Sequence, residues 1–236
     1  MSAPHSPAQL AALARIDGCT LANAIEGFRV RLRNEGFASG SVRQLLPRPR
    51  PMVGYAATLR IRGATPPVTG ASTYVEDTAW WDYVLSVPAP RVIVVQDVSS
   101  NRGRGALLGE VHVSLLMALG CIGAVTDGAV RDIEAVERLD FQLFASALTV
   151  SHSYVHIVET GQPVQIDGLT IQSGDLLHGD RHGVQSIPSE LVDDLPPAAE
   201  AIVARERKLI DLARQPGVSP AALRAAIAAG RSPDSA

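Results

Sequence analysis

The sequence predicts a single α/β domain with helices at both ends, and one continuous stretch carries most of that reading. "RVIVVQD" (91–97) is a short apolar run rich in Val and Ile, as a strand covered on both faces should be. "VSSNRGRGALLGEVHVSLLMALG" (98–120) follows as a glycine-bearing loop and a helix ending at Gly120, and "CIGAVTDG" (121–128) returns as a second apolar strand. Strand, helix and strand in that order call for a parallel pair joined by a right-handed crossover.

The other elements follow in chain order. Residues 1–9, rich in Pro, Ser and Ala, are expected to fray, while "AQLAALARI" (8–16) and "TLANAIEGF" (20–28) read as short amphipathic helices, the second N-capped by Thr20. "MVGYAATLRIRG" (52–63) alternates apolar with small or polar residues, as a strand does. "DIEAVERLD" (132–140) is an acid-led helix, and "FQLFASALTV" (141–150) comes next. "SYVHIVE" (153–159), "PVQIDGLTIQSGD" (163–175) and "HGVQSIP" (182–188) are short strands, the middle one a hairpin turning at Asp167-Gly168. The chain closes with the helices "PPAAEAIVARERKLIDLARQ" (196–215) and "SPAALRAAIAAG" (219–230) and a polar tail. The expected division is thus a flexible start at 1–9, one domain over 10–213, and a terminal helix and tail over 214–236.

Composition excludes several functions. With 21 basic and 24 acidic residues the chain offers no broad cationic surface for nucleic acid or an anionic membrane. No leader pattern or membrane-length apolar run is visible, which points to a cytoplasmic protein. Cys19 and Cys121 lack CxxC spacing and sit in apolar surroundings, so both are expected as buried thiols. Lys208 is the single lysine, in a charged helical stretch that should face solvent. Schiff-base chemistry needs a desolvated lysine or one beside another cation. It is therefore not expected here.

The candidate chemistry sits on two loops. In an open α/β sheet, ligands gather beyond the carboxyl ends of the strands, where the loops after "RVIVVQD" and "GAVTDG" emerge together. Glu110 follows the first loop and Arg131-Asp132 the second, with twenty residues between Glu110 and Arg131. One helix plus one strand consumes about that length, so the three side chains are expected in one cleft. Glycines at 103, 105 and 109 would let backbone amides near Val111 and His112 approach a ligand, and a helix start there favours an anion. Carboxylates and an arginine beside such amides suit a divalent cation holding a small oxo-acid. Oxygen ligation with retained water points to Mg2+ or Mn2+, not zinc. The same spacing is also that of an acidic helix cap with a surface ion pair.

"LLGEVHVSLLMALGCIGAVTDGAVRD" and "GDLLHGDRHGVQSIP" resemble the family that joins class II, metal-dependent 4-hydroxy-4-methyl-2-oxoglutarate/4-carboxy-4-hydroxy-2-oxoadipate aldolases with the regulator of ribonuclease E activity A (RraA-like) proteins. The resemblance runs from about Thr20 to Pro188. It implies a single-domain β/β/α sandwich like the phosphohistidine swivelling domain, assembled as a homotrimer or hexamer with the active site between protomers. It also implies retro-aldol cleavage of a 4-hydroxy-2-oxo (di)acid to pyruvate and a second carbonyl compound, with oxaloacetate decarboxylation as a companion activity.

By the same resemblance, Asp132 binds the metal directly and Glu110 holds it through water. Arg131 steadies the substrate carboxylate and the enolate oxygen, while Gly109, Val111 and His112 form the carboxylate-binding start of the helix. The family pattern has Asp where this chain has Glu110. One extra methylene is tolerable in a group that acts through water. The family also takes an acid from the neighbouring protomer, for which Glu200 and Glu206 are candidates.

The histidines support other readings. His112, beside Glu110, is the first candidate for proton transfer, although a hydrogen-bonded structural role is an equal reading. His152 and His156, if on one regular strand, stand about 13 Å apart at ~3.3 Å per residue, too far to share an ion. His178, Asp180 and His182 could converge at a turn, but are read first as polar groups near a pocket mouth or a subunit contact. Trp80, Trp81 and Tyr83 are read as core or interface packing ahead of pocket lining. A metal-assisted hydrolase or hydratase acting on an oxo-acid or lactone, and a non-catalytic RraA-like regulator, are the competing functional readings.

Overall fold

The computed structural model describes residues 4–67 and 78–230. Two short helices lead: α1 (Pro7–Leu13) and α2 (Gly18–Phe28). Within the segment expected to fray, residues 5–9 are tied down. Ser6 caps α1 in a capping box with Gln9, and the His5 amide donates to the Tyr55 hydroxyl at 2.7 Å. The cap of α2 is Asp17, not Thr20, because the Asp17 carboxylate accepts from both the Thr20 amide and its hydroxyl. Cys19 is exposed at the start of this helix, which corrects the expectation of a buried thiol.

The strands and remaining helices run in chain order as β1 (Arg43–Gln44), β2 (Met52–Arg62), α3 (Ala79–Ser86), β3 (Arg91–Asp97), α4 (Glu110–Ala118), β4 (Cys121–Val130), α5 (Ile133–Val136) and β5 (Gln142–Leu148). After these come β6 (His156–Thr160), β7 (Val164–Ile166), β8 (Leu169–Ile171), β9 (Leu176–Asp180), β10 (Gly183–Ile187), α6 (Leu195–Ala213) and α7 (Pro220–Gly230). The predicted 132–140 helix survives only as the four residues of α5. "FQLFASALTV" supplies β5.

One sheet has the order β1-β5-β4-β3-β2-β9-β10, and β2 through β5 are mutually parallel. The helical crossover between β3 and β4 is the predicted one. The other edge of β2 is divided: Met52–Tyr55 pair with β9 and Leu59–Arg62 pair with β6, both antiparallel.

Side-chain alternation explains the layering. Val92 and Val94 enter an apolar cluster with Val164, Ile166, Leu169 and Ile171 of the β7–β8 hairpin, while Ile93 and Val95 enter the cluster shared with the helices. The sheet therefore lies between a hairpin and a helical layer. Full burial of each such aliphatic side chain stabilises the fold by about 1.5–3 kcal/mol. The hairpin turns at Asp167-Gly168 as predicted, with φ of 47° and 90°, the pair of positive values that a two-residue turn of this hand requires. Trp80 and Val84 of α3 are buried in the helical cluster, and the Tyr83 hydroxyl accepts from the Thr58 amide at 2.8 Å. Among the described residues, no helix is long and apolar enough to cross a membrane.

Candidate active site

The carboxyl ends of β3 and β4 deliver the expected residues to one place. The loop after β3 runs beside β4 until Leu108 bridges Val130, and the Arg131 amide donates to the Leu108 carbonyl at 3.0 Å. This zips the end of β4 to the entry of α4. Asp132 then adopts a left-handed conformation, φ 58° and ψ 38°, a region that Asp tolerates better than most residues.

In that conformation its carboxylate reaches back to α4. Asp132 Oδ2 accepts from the Glu110 amide at 3.2 Å and lies 3.3 Å from Arg131 Nε. Asp132 thus caps α4 and not the short helix that follows it. Gly109 makes this possible, since a β-carbon there would stand 2.5 Å from Asp132 Oδ2.

Arg131 and Asp132 meet the backbone of Glu110 at the start of α4, within the region that the spacing predicts. Glu110 is exposed, and the side chains of Arg131 and Asp132 are 29% and 38% exposed, so the group faces solvent from a shallow position. Val111 and His112 follow at the second and third positions of α4, whose amides precede the first intrahelical bond, from Val113 to the Gly109 carbonyl. The His112 side chain is 4% exposed, so it is packed within the protein, while its amide lies in the first turn of α4.

The other histidines are placed elsewhere. His152 lies in the turn before β6 and only His156 belongs to that strand, so the two do not share a strand face. His178 is fully buried on β9, its Nε2 donating to the Ile16 carbonyl at 2.9 Å, and burial pushes its pKa down. It is not at a pocket mouth. Asp180 Oδ2 accepts from the Gly18 amide at 2.7 Å, and His182 Nδ1 sits 3.3 Å from Asp180 Oδ1. These groups pin the start of α2 to β9. Glu200 and Glu206 occupy exposed positions of α6, which packs on α1 and α2.

A second pair of carboxylates behind the cleft is absent from the sequence expectations. Asp97, fully buried, accepts from the Ser99 and Gly103 amides at 2.9 and 2.8 Å, while Asp127 Oδ1 accepts from the Asp97 amide at 2.8 Å. Arg102 NH1 lies 3.2 Å from Asp127 Oδ2, close enough to pair in charge but without hydrogen-bond alignment. Burial pushes the Asp127 carboxyl up. The pair holds the loop that leads into α4. An acid inside the apolar run "GAVTDGAV" is the signal that could have revealed it.

Divalent-cation binding can be tested against these donors. Among the described residues no three His, Cys, Asp or Glu side chains converge, which disfavours a zinc-type cage. Two carboxylates open to solvent do fit Mg2+ or Mn2+, which keep water and take further oxygens from substrate.

The sheet defines an α/β protein whose candidate ligand site lies at the carboxyl ends of parallel strands, beside a glycine-opened helix start. A sequence profile of the RraA-like family, described as Aldolase/RraA, matches residues 19–185, and the chain belongs to that family. A relative from Halalkalibacterium halodurans, named "Putative 4-hydroxy-4-methyl-2-oxoglutarate aldolase", is 35% identical over 101 residues, 42% of this chain and 48% of that protein. The match therefore spans about half that relative's length. A Halorhodospira halophila protein of the same name is 32% identical across 59% of this chain and 83% of its own. The crystal structure of an uncharacterized protein from Pseudomonas syringae pv. tomato superposes with a TM-score of 0.71 at 24% identity, covering 97% of both chains, which shows the shared fold.

Proposed function

We propose that the chain is a divalent-metal-dependent lyase that cleaves a 4-hydroxy-2-oxo (di)acid to pyruvate and a second carbonyl compound, and that also decarboxylates oxaloacetate. The observation that carries this reading is the meeting of Arg131, Asp132 and Glu110 at the start of α4. The names of the two relatives support it.

Asp132 and Glu110 would hold the cation. When bound, it supplies Lewis-acid polarisation of the 2-oxo group. The start of α4, Gly109 to His112, receives the substrate carboxylate, where amides and the positive end of the helix favour an anion. Arg131 stands beside it, held at Asp132, and its guanidinium stabilises charge that develops on the 2-oxo oxygen. The substrate hydroxyl passes its proton to a water at this solvent-open site as the bond between C3 and C4 breaks and the second carbonyl forms. The bonding pair goes to the pyruvate fragment as its enolate, and C3 takes a proton back from water. No lysine is used, and Lys208 is exposed on α6.

The assembly belongs to the same proposal. Val111, Leu148 and Val150 are 60%, 62% and 97% exposed, and Leu148 is the β5 register partner of Val130, next to the cleft. Such an apolar rim suits contact with another copy in a homotrimer or hexamer, which would bring a neighbour's acid, Glu200 or Glu206, toward the cleft.

The test is release of pyruvate from 4-hydroxy-4-methyl-2-oxoglutarate and from oxaloacetate, with Mg2+ or Mn2+ and with chelator. Chelator-sensitive release that is lost in Asp132→Ala and Arg131→Ala supports the lyase. Absence of turnover on both substrates with either metal refutes it and favours the RraA-type regulator.

A further inference from the structure

A cavity of about 420 Å³ opens at the opposite end of the sheet. Its lining includes Tyr55 and Leu176, register partners in β2 and β9, and Tyr55 also aligns with Arg91 at the beginning of β3. The candidate active site lies past Val130, at the far end of β4. From Cys121, the β4 partner of Arg91, to Val130 the strand runs up to about 30 Å at ~3.3 Å per residue.

The cavity wall carries both signs of charge. Arg31 is half-buried, and its NH1 donates to the Ser186 carbonyl and hydroxyl, each at 3.0 Å. No carboxylate lies within ion-pair distance of it among the described residues. Its hydrogen bonds go to neutral acceptors, and Glu35 acts on it only through space, beyond ion-pair distance; a half-buried guanidinium so held keeps affinity for an oxyanion. Asp175 and Glu190 line the same space. Asp175 Oδ2 accepts from the Gln172 amide at 2.8 Å, while Glu190 is exposed at the rim.

The remaining wall is ordered and hydrogen-bonding. The His5 ring stacks on Tyr55 with centroids 6.4 Å apart and planes at 9°, and His5 Nε2 lies 2.8 Å from Ser189 Oγ. Ser173 Oγ accepts from the Tyr83 hydroxyl at 2.8 Å, which leaves its own proton for another acceptor. The volume falls in the range of small-molecule sites.

Charge decides the ligand class. A bare oxyanion on Arg31 would share the cavity with two carboxylates, and a bare amine near those carboxylates would share it with a guanidinium. We propose that this cavity binds a small zwitterion carrying both a carboxylate and an ammonium group, with the size of an α-amino acid or dipeptide. The carboxylate docks on Arg31 and the ammonium turns toward Asp175 and Glu190. None of these groups belongs to the proposed catalytic machinery, so the site stands independently of the lyase reading.

Thermal unfolding of the full chain tests this without any activity assay. The probes are the standard α-amino acids and glycylglycine, with acetate, inorganic phosphate and n-butylamine as single-charge controls. A binding zwitterion at one hundred times its Kd raises Tm by about 5–10 °C. The controls leave Tm unchanged, and Arg31→Gln and Glu190→Gln each remove most of the shift. Because Arg31 also anchors Ser186, Glu190→Gln and Asp175→Asn decide the matter if Arg31→Gln fails to fold. The proposal is overturned if no zwitterion raises Tm, if acetate or butylamine matches its effect, or if the shift survives in the folded variants.

Discussion

The Asp132 carboxylate occupies the space that a side chain at position 109 would fill: a β-carbon on Gly109 would lie 2.5 Å from Asp132 Oδ2 and 3.1 Å from Arg131 Cγ. Gly109→Ala must therefore push the carboxylate off the start of α4. The expected result is a loss of about 100-fold in pyruvate release, the scale of a misplacement near 1 Å, with little stability lost, since the groups that must move are partly exposed side chains. Steady-state kinetics alongside denaturant unfolding separate the two effects.

Removing charge at Asp132 should be distinguishable from removing the cap. Asp132→Asn keeps an oxygen acceptor for the Glu110 amide, whereas Asp132→Ala removes it. Both variants are expected to lose roughly 100-fold or more in turnover. Only the alanine variant should also lose about 1 kcal/mol of stability, read from the urea midpoint.

Lys208 gives a control on the type of chemistry. It is exposed on α6, and no other lysine exists in the chain. Lys208→Met should leave pyruvate release unchanged, and borohydride added with pyruvate should give no mass increase of the protein. A trapped adduct would replace metal-assisted with imine chemistry.

Val150 tests the assembly. A side chain 97% exposed just after β5 contributes nothing to the protomer core, so Val150→Asp should leave the Tm of the isolated protomer intact. Light scattering should show a smaller assembly than wild type. Unchanged mass would move the contact elsewhere.

His178 should give stability a dependence on acid. Burial holds its pKa below the ordinary 6.5, so the folded protein keeps the ring neutral where the unfolded chain is already protonated. The unfolded state then binds more protons, and stability falls as pH drops from about 6.5 toward the folded value. The slope contributed by this one group approaches 1.4 kcal/mol per pH unit at most. His178→Gln should flatten that part of the urea-midpoint profile relative to wild type.

The strand-helix-strand core was legible because a parallel strand covered on both faces reads as unbroken Val and Ile, and Gly120 stops the intervening helix with φ 77°. The hairpin was legible from Asp167-Gly168. The meeting of Glu110 with Arg131 and Asp132 followed from spacing, but the return of Asp132 onto the Glu110 amide did not, since it depends on one left-handed residue. The cap of α2 was misassigned because Thr20 and Asp17 both suit a cap, and only geometry shows the threonine serving its neighbour. The helix at 132–140 was overextended because its periodicity says nothing about β5 claiming the chain so soon afterwards. His178 could not be placed, since a buried histidine and a surface one look alike until the strand pairing is known.

The divided outer edge of β2 bears on how this polypeptide emerges from the ribosome. Residues 52–62 are made early, yet their outer partners lie at 156–160 and 176–179. Until those segments appear, an apolar strand waits with open backbone donors and acceptors, a natural template for sticking to other nascent chains. Truncation before residue 180 should consequently yield insoluble material even though the parallel half of the sheet is complete.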